Sequence, residues 1–423
     1  MNFSTKTESF MKPFIKSFGK CDKAILSKED NKSFQTIINT LYQDIYNSNN
    51  KVFASGCFKH TVIKLPNASP LDSASQVPAS QVKRPEDFNS KYFPTIIQKY
   101  IKENELYQLL FSCGNVGGRD ITIMFTLFNE EDLLKIDSYV EQVRMMYVWL
   151  NVCAQYADKH CTNTLDIYIY PTPFNKNLPT SATTILGPEH VNTAFTFACA
   201  PKGQMIVFRE EEWFKVFIHE TFHAYGLDFA TSNSSNSIIS DFKQKIALIF
   251  PIQSDFDLYE AYTETWARII NCIFCSFNAL RNKKDKKAFI ENFTLCIELE
   301  RMFALYQCIK VLSFMGLHYC NLHSAKNPMT AALFKENTHV FAYYVMTAIF
   351  LNDYEGFMLW CRKNNSALLK FDASPKGFEA FIDYIKSVHN CEPLQNSIDE
   401  MGRLMTVNKN DTLTKSTRMS MIA

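Results

Sequence analysis

The stretch FIHETFHAYG, residues 217–226, places two histidines four positions apart and a glutamate directly after the first of them. Residues four apart lie on one face of a helix, so His219 and His223 could direct ring nitrogens at one metal ion about 2.0–2.1 Å away. Glu220 would lie on the flank of that face, where it could reach a metal-bound water and act as a general base. Composition alone produces such a motif in roughly one chain in a hundred, so the structural context has to decide.

A catalytic zinc ion bound by two histidines needs a third protein ligand. Glu260 is the candidate, because it falls in the register of an apolar helical stripe formed by Phe256, Thr263, Ala267 and Ile270. A carboxylate that is buried without a metal or a cation is strongly unfavourable. Glu264, one turn later, could accept the outer ring proton of a metal-bound histidine. The alternative for both glutamates is a solvated helix edge.

These two motifs, HETFH and a separate helix with the pattern E-A-x-x-E, resemble the gluzincin branch of zinc metallopeptidases, to which thermolysin and anthrax lethal factor belong. The resemblance implies one zinc ion per chain with the ligands His219, His223 and Glu260. It implies Glu220 as the catalytic base and Glu264 as the acid behind the ligands. The residue usage with a single HExxH motif is also similar to presumed metallopeptidases of large cytoplasmic DNA viruses.

The same resemblance implies an α+β fold with a zincin-like core, in which a mixed sheet accompanies the active-site helix, and a mostly helical C-terminal subdomain. It covers residues 119–280, about a third of the chain. Substrate would bind along an edge strand, for which VNTAFTF at 191–197 is the candidate, because main-chain hydrogen bonds to a sheet edge tolerate varied sequences. The partner is therefore expected to be a peptide or protein substrate.

Alternatives remain for the third ligand. Glu260 follows the second histidine by 37 positions, farther than in thermolysin, so Glu264 stays a second candidate. The metzincin pattern HExxHxxGxxH matches at Gly226, but its third-ligand position is Phe229. Asp228 is one position out of that register and is kept as a further alternative.

Peptide hydrolysis also needs a donor that stabilises the oxyanion. Tyr343 and Tyr344, in the apolar stretch ENTHVFAYYV, are the two candidates chosen, with Tyr259 and His339 also considered. A packed aromatic side chain is the alternative for each of them.

The remaining patterns indicate the elements that position these residues. Alternation predicts strands at 119–128 and 164–174 and a hairpin of two strands within 191–209, while helical spacing predicts helices at 34–48, 131–158, 210–225 and 254–277. Three glutamates are expected in the first turn of the 210–225 helix, Gly226 at its end, a loop at 226–242, and a capping box of Ser254 and Asp257. The predicted divisions are a helical segment at 1–65, a linker at 66–90, a zincin N-terminal subdomain at 91–253, a helical subdomain at 254–405 and a flexible tail at 406–423.

Composition narrows the function classes. Lys plus Arg number 44 and Asp plus Glu 43, so bulk charge gives no support for binding nucleic acid or a membrane surface. The longest apolar run, residues 340–351, predicts a buried helix, since a transmembrane helix needs about 18 residues or more. Without a secretory signal, an odd thirteen cysteines predict reduced thiols, no disulfides and an intracellular, cytoplasmic protein, or a virion protein if viral.

The other motifs do not indicate a further metal site or a phosphate-binding loop. Cys272 and Cys275 form CxxC inside a helix and are expected to be core thiols, and HYCNLH at 318–323 has no defined metal geometry. CGNVGG at 113–118 lacks the Lys-Ser/Thr of a phosphate loop. The sequence therefore predicts a zinc metallopeptidase that hydrolyses peptide bonds through a zinc-activated water. The alternatives are a catalytically inactive zincin-like structural or interaction protein, and two histidines that are merely core residues. Oligomeric state does not follow from the sequence.

Overall fold

The computed structural model describes residues 4–54, 58–66, 82–231, 236–323, 332–408 and 410–422, so most of the predicted linker, 67–81, lies outside the described residues. The chain is a mixed α/β protein with an open mixed sheet and a largely helical C-terminal part. Its contacts divide it into two units: a helical unit (Met1–Tyr42, Lys176–Val191, Asp228–Ala423) and a sheet unit (Gln43–Asn175, Asn192–Leu227). Neither is continuous in sequence, unlike the predicted divisions, because local patterns do not reveal which distant segments share a core.

In the residues that the structure describes, the sheet unit has six strands in the order β1-β2-β3-β4-β6-β5. They are β1 (His60–Lys64), β2 (Tyr107–Val116), β3 (Arg119–Leu127), β4 (Thr164–Ile169), β5 (Ala194–Thr196) and β6 (Lys202–Val207). Strands β3, β4 and β6 pair in parallel, and the outer pairings are antiparallel. The strands predicted at 119–128 and 164–174 and the hairpin at 191–209 are confirmed.

The stretch CGNVGG, which was compared with a phosphate loop, covers the end of β2 and the two-residue turn to β3. Gly117 and Gly118 have φ angles of 59° and 88°, which glycine adopts at no steric cost. The two strands pair in antiparallel register up to the turn, from Tyr107 opposite Leu127 to Val116 opposite Arg119. The two glycines are therefore explained by the hairpin.

The helices of the sheet unit include three that the sequence predicts and one, at residues 95–104, that it does not. They are the end of α2 (Lys28–Ala54), then α3 (Thr95–Asn104), α4 (Ile136–Cys153) and, later in the chain, α6 (Trp213–Ala224). The helix predicted from 131 begins as a 3-10 turn, Glu130–Lys135, before it continues as α4. Helix α4 packs on α6, with the Trp149 and Phe222 rings stacked 5.9 Å apart.

The helical unit contains the remaining helices. They are α1 (Thr5–Ile15), the start of α2, α5 (Pro188–Val191), α7 (Asn236–Ile249), α8 (Leu258–Asn278), α9 (Lys286–Phe314), a π-helical segment (Phe341–Met346), α10 (Thr347–Asn352), α11 (Tyr354–Asn364), α12 (Pro375–Val388), α13 (Glu392–Val407) and α14 (Asp411–Lys415). The buried helix predicted at 340–351 is confirmed by the π-helical segment and α10. Within the part of the chain that the structure describes, no helix has the length and apolarity that a membrane span requires.

Two sequence predictions around α7 and α8 differ from the structure. The loop predicted at 226–242 is confirmed for residues 226–231, residues 232–235 lie outside the described residues, and the prediction is wrong from Asn236, where α7 begins. The capping box is not formed, because α8 begins at Leu258 and its N-cap Asp257 makes no side-chain capping hydrogen bond. The Ser254 hydroxyl donates instead to the carboxylate of Glu336. A local sequence pattern does not reveal that Glu336, distant in the chain, accepts a hydrogen bond from the Ser254 hydroxyl.

The C-terminal segment, residues 411–422, also differs from the flexible tail predicted there. Its last residues are buried, and Ile422 is held at both backbone groups: Asn271 Nδ2 donates to its carbonyl over 2.8 Å and its amide donates to Glu300 Oε1 over 2.8 Å. Glu300 also forms a buried ion pair with Arg268, with 2.7 Å between Nη2 and Oε2. Buried partners on α8 and α9 therefore hold the end of this segment inside the unit.

Lys310, on α9, holds the same segment and gives a testable consequence. Its Nζ donates to the carbonyls of Leu413, over 2.8 Å, and Ser416, and burial lowers the pKa of the amine to about 7. Because the folded pKa lies below that of the unfolded chain, stability is lost as the pH falls from about 10.5 toward about 7, by about 1 kcal/mol per pH unit.

We expect Lys310→Met to abolish this pH dependence. The free energy of unfolding of Lys310→Met minus that of the wild type should fall by about 1 kcal/mol per pH unit as the pH rises from about 7 to about 9.5. Urea unfolding at both pH values measures it. Lys415→Met, at an exposed lysine of the same segment, is the control and should show no such trend. A pH-independent difference for Lys310→Met would contradict a neutral buried amine.

Candidate functional site

Helix α6 carries the HETFH motif and begins at Trp213, after the three glutamates. Its N-cap, Glu212, has a left-handed backbone with φ 61°, and no acidic residue lies in the first turn. The expectation of three glutamates in that turn is therefore wrong. The Glu210 amide donates to the carbonyl of Thr172 over 3.1 Å, which ties the entry of the helix to the loop after β4.

His219 and His223 meet on one face of α6, as their spacing predicts. Their Nε2 atoms are 3.1 Å apart and their ring planes are inclined by 77°. Two nitrogen ligands of a tetrahedral ion, each about 2.0–2.1 Å from it, would be separated by about 3.3–3.4 Å. Both histidines are buried, with exposed fractions of 4% and 7%, and Glu220 beside them is 6% exposed. This geometry fits two ligands of one metal ion. A hydrogen bond between two neutral imidazole rings would also explain the 3.1 Å distance between the Nε2 atoms.

The end of α6 fixes the backbone of His223. The His223 carbonyl accepts from the amide of Gly226 over 3.1 Å, while the amide of Leu227 donates to the carbonyl of Phe222 over 2.9 Å, the pattern of a Schellman cap. Gly226 has φ 62°, so the predicted glycine stop is confirmed. A Cβ atom at this position would lie 2.8 Å from Cys161 Sγ, which excludes larger residues.

Two loop residues complete this cap. The Cys199 amide donates to the His223 carbonyl over 3.0 Å, and the Thr162 hydroxyl donates to the carbonyl of Ala224. Cys199 is joined to Cys161 by a disulfide. The prediction of no disulfides is therefore wrong for this pair, whose 38-residue separation gives no signal in the sequence. The described cysteines outside it are free, and Cys272 is buried in α8 as predicted.

The predicted carboxylates lie on α8, in the helical unit. Glu260 and Glu264 are only 7% and 1% exposed, so the solvated helix edge is excluded for both. Glu260 contacts two side chains from the segment around the π-helical turn. The Tyr343 hydroxyl donates to its Oε2 over 3.0 Å, and the His339 Nε2 lies 3.8 Å from its Oε1. The His339 and Tyr343 rings lie edge to face, 5.9 Å apart.

The two candidate tyrosines differ in their surroundings. Tyr343 is half-buried on the π-helical segment, a kind of distortion that is frequent at functional sites. Tyr344 is buried, and its hydroxyl donates to the carbonyl of Thr417 in the C-terminal segment. Tyr259 lies with its ring 6.4 Å from that of His339. Of the four donors considered, Tyr343 and His339 contact the predicted ligand Glu260.

Glu336 is a residue that sequence reasoning missed. Its carboxylate accepts from the Ser254 hydroxyl and, over 2.8 Å, from the amide of Phe341 at the start of the π-helical segment. Burial raises the pKa of this carboxyl to about 7, although these hydrogen bonds and the nearby His339 oppose the shift. The sequence has one pattern that could have predicted this cluster. If ENTHVFAYY is helical, His339 and Tyr343 are four positions apart and lie on one face.

The metzincin alternative receives no structural support. Phe229, at that pattern's third-ligand position, packs in an aromatic cluster with its ring 4.4 Å from that of Phe371. The Asp228 carboxylate accepts from the Ala230 amide over 2.9 Å and from the Thr263 hydroxyl over 3.2 Å. These contacts give Asp228 a local structural role at the start of the helical unit's last segment.

Within the sheet unit, the described side chains of His160, Cys161 and Cys199 could hold a metal ion, and the two rings of His219 and His223 offer a pair of nitrogen ligands. Comparison with known proteins adds no assignment, because no protein-family model, curated protein or solved structure matches the chain.

Proposed function

We propose that the protein is a zinc-dependent metallopeptidase whose zinc ligands are His219, His223 and Glu260. The observation that carries the proposal is the buried pair of ring nitrogens, 3.1 Å apart, on a helix that also presents Glu220. A structural zinc site does not need a neighbouring base and usually has four protein ligands, often cysteines. Two imidazoles with an adjacent carboxylate therefore favour a catalytic site.

Glu260 is proposed as the third ligand on the basis of its burial and chemistry. A carboxylate that is 7% exposed needs compensation. One hydroxyl and one imidazole lie 3.0 and 3.8 Å from its oxygens, and a divalent cation would stabilise the buried carboxylate further. Two histidines and one glutamate also leave a fourth position open, as catalytic zinc sites require. Glu264 would then act behind the ligands by orienting a histidine ring.

A zinc ion bound by this set would polarise the scissile carbonyl and make water a stronger nucleophile at neutral pH. Glu220 would take the proton from the attacking water and pass it to the leaving amine. Tyr343, whose hydroxyl already lies beside Glu260, would donate to the developing oxyanion, with His339 as the neighbouring second donor. Substitutions of Glu220 and of Tyr343 test these two roles separately.

The sheet supplies a surface for an extended substrate. Strand β5 is at the end of the strand order and pairs with β6 on one side, so among the described residues its other side is a sheet edge. It also packs against α6 within the sheet unit. A peptide that adds to this edge would run beside the HETFH helix, held by main-chain hydrogen bonds. Phe197, just after β5, is 43% exposed and could contact a substrate side chain.

The experiment that tests the function is cleavage of a mixed peptide library by the zinc-loaded protein, with products identified by mass spectrometry. We expect cleavage within peptides, loss of cleavage after removal of the metal by a chelator, and recovery when zinc is returned. A zinc-loaded protein that cleaves no peptide or unfolded protein substrate would overturn the proposal. It would instead support the catalytically inactive zincin-like scaffold.

Substitution of the two neighbouring tyrosines separates the proposed donor from a structural residue. We expect Tyr343→Phe to lower kcat/KM by about 100-fold, the usual effect of losing an oxyanion donor, while zinc content is retained. Tyr344→Phe should leave kcat/KM within a few-fold but lower Tm, because it leaves the buried Thr417 carbonyl without this donor. Steady-state kinetics, zinc analysis and thermal melts measure these effects. Equal effects of both variants on kcat/KM would contradict the assignment.

A further inference from the structure

We propose that His160, Cys161 and Cys199 form a second metal site, for a thiophilic divalent ion such as zinc, once the disulfide between the two cysteines is reduced. Each side chain offers one ligand atom, and the three atoms lie within 4.8 Å of one another. Thiolate and imidazole are the ligands that zinc prefers in structural sites. Cys161 is buried, Cys199 is half-buried and His160 is exposed, so an ion can enter from the His160 side.

The sheet holds the two cysteines together independently of their bond. Each lies three residues before a strand, Cys161 before Thr164 of β4 and Cys199 before Lys202 of β6. Thr164 and Lys202 are paired in the parallel register of these neighbouring strands. The amide of Asn163 also donates to the carbonyl of Pro201 over 2.9 Å. The two sulfur atoms therefore stay neighbours after reduction, as a chelating pair must.

The backbone around the pair has a reason to be cross-linked. Thr162 and Cys199 have left-handed φ angles of 54° and 51°, which non-glycine residues adopt only where their surroundings enforce them. These are the residues whose hydroxyl and amide cap the carbonyls of Ala224 and His223. A disulfide holds this arrangement in the oxidised protein. A metal ion bound to both sulfurs would hold it in the reduced protein.

The charge nearby suits a site with two thiolates. Arg119 is buried, its Nε donates to the carbonyl of Cys161 over 3.1 Å, and its guanidinium lies over the Tyr225 ring at 4.3 Å. The contact with the Cys161 carbonyl places this fixed positive charge on the loop that carries one of the two cysteines. Together with the divalent ion, Arg119 would offset the two negative charges.

The redox step balances with a dithiol as reductant. The dithiol supplies two electrons and two protons, the Cys161–Cys199 bond opens to two thiols, and the dithiol becomes a disulfide. Metal binding then releases both thiol protons to solvent, while the ring nitrogen of His160 binds through its lone pair. The fourth position of a tetrahedral ion remains for solvent.

The test is a cobalt titration of the reduced full-length protein under anaerobic conditions, after removal of the reductant. Thiolate-to-cobalt charge-transfer absorption distinguishes this site from the proposed site of His219, His223 and Glu260, which contains no sulfur. We expect the absorption of the reduced wild type to saturate at the intensity of one thiolate-bound cobalt ion per chain. We expect none in the oxidised wild type or in reduced Cys199→Ser, and full absorption in Cys320→Ser, which removes an exposed free cysteine.

A second pair of variants tests the histidine. His160→Ala should weaken cobalt binding at least about tenfold, whereas His318→Ala, at another exposed histidine, should not change it. Circular dichroism shows whether each variant is folded. Absence of the absorption in reduced wild type, or its persistence in the folded Cys161→Ser/Cys199→Ser double variant, would overturn the proposal. Neither result depends on peptidase activity, so the peptidase proposal can fail while this one holds.

Discussion

Glu220→Gln is expected to abolish peptide hydrolysis while leaving the fold and the zinc content intact. The amide has nearly the shape of the carboxylate but cannot accept a proton from water, so kcat/KM should fall by about 10²–10⁴-fold, the range for loss of general base catalysis. Glu220 is 6% exposed on α6, and the substitution changes little volume. Cleavage of a fluorogenic peptide, zinc analysis and a thermal melt on the same preparation measure the three quantities.

A matched control keeps this result interpretable. Glu141→Gln removes a carboxylate from the same unit, on α4, where its side chain is 64% exposed and pairs with Arg144. It should leave kcat/KM and Tm unchanged, because exposed ion pairs contribute little. Full activity in Glu220→Gln would exclude Glu220 as the base. Loss of zinc together with activity would assign Glu220 to the metal instead.

The strands of the sheet unit could be predicted wherever one local pattern determined them. In β3, alternating apolar residues at 121, 123 and 125 indicated a strand, and a Pro and a Gly indicated the turn before β6. Strands β1 and β2 were not predicted. β2 ends in CGNVGG, whose glycines invite comparison with a phosphate loop until β3 is seen to pair with it. Pairing is a long-range property, and periodicity alone does not give it.

The helical unit shows the same limit. The C-terminal segment is rich in Ser and Thr, which predicts exposure, but Glu300, Gln307 and Lys310 on α9 provide buried partners for it. Those partners lie over 100 positions away in the chain. A local reading can assign a polar segment to the surface. It cannot see a complementary set of buried polar groups on a distant helix.

Some features of the candidate site follow from local sequence patterns, and others depend on distant contacts. The meeting of the two histidines follows from their spacing of four on one helix, and the burial of Glu260 follows from an apolar stripe of the same period. The choice between Tyr343 and Tyr344 does not follow. Neighbouring residues on a helix point about 100° apart, and a π-helical turn shifts the register further. The cap of α6 by Thr162 and Cys199 was likewise hidden, since it depends on two loops that the sheet brings together.

Metal content is the second large effect, and the ligand set predicts which variants lose it. We expect about one equivalent of zinc in the wild type and almost none in His219→Ala, His223→Ala or Glu260→Ala. Measurement on oxidised protein keeps Cys161 and Cys199 closed as a disulfide, so no thiolate at that position can bind the added metal. Elemental analysis after dialysis gives the stoichiometry.

The neighbouring carboxylates decide between the alternative third ligands. Glu264→Gln should keep the stoichiometry and weaken zinc binding by about 10–100-fold, as expected for an acid that orients a ligand. Asp228→Asn should keep both, because the Asp228 carboxylate already accepts from Ala230 and Thr263. Retention of zinc in Glu260→Ala with its loss in Glu264→Gln or Asp228→Asn would transfer the third ligand to that residue.

Stability provides an independent measurement of the same site. A ligand that binds only the folded state stabilises it by about 4 kcal/mol when present at about 1,000 times its Kd. Added zinc should therefore raise the Tm of wild type and of Glu220→Gln equally, and leave that of His223→Ala unchanged. If zinc instead stabilised His223→Ala as strongly as wild type, the 3.1 Å contact between the two rings would be a hydrogen bond of the core. The HETFH helix would then have no catalytic role.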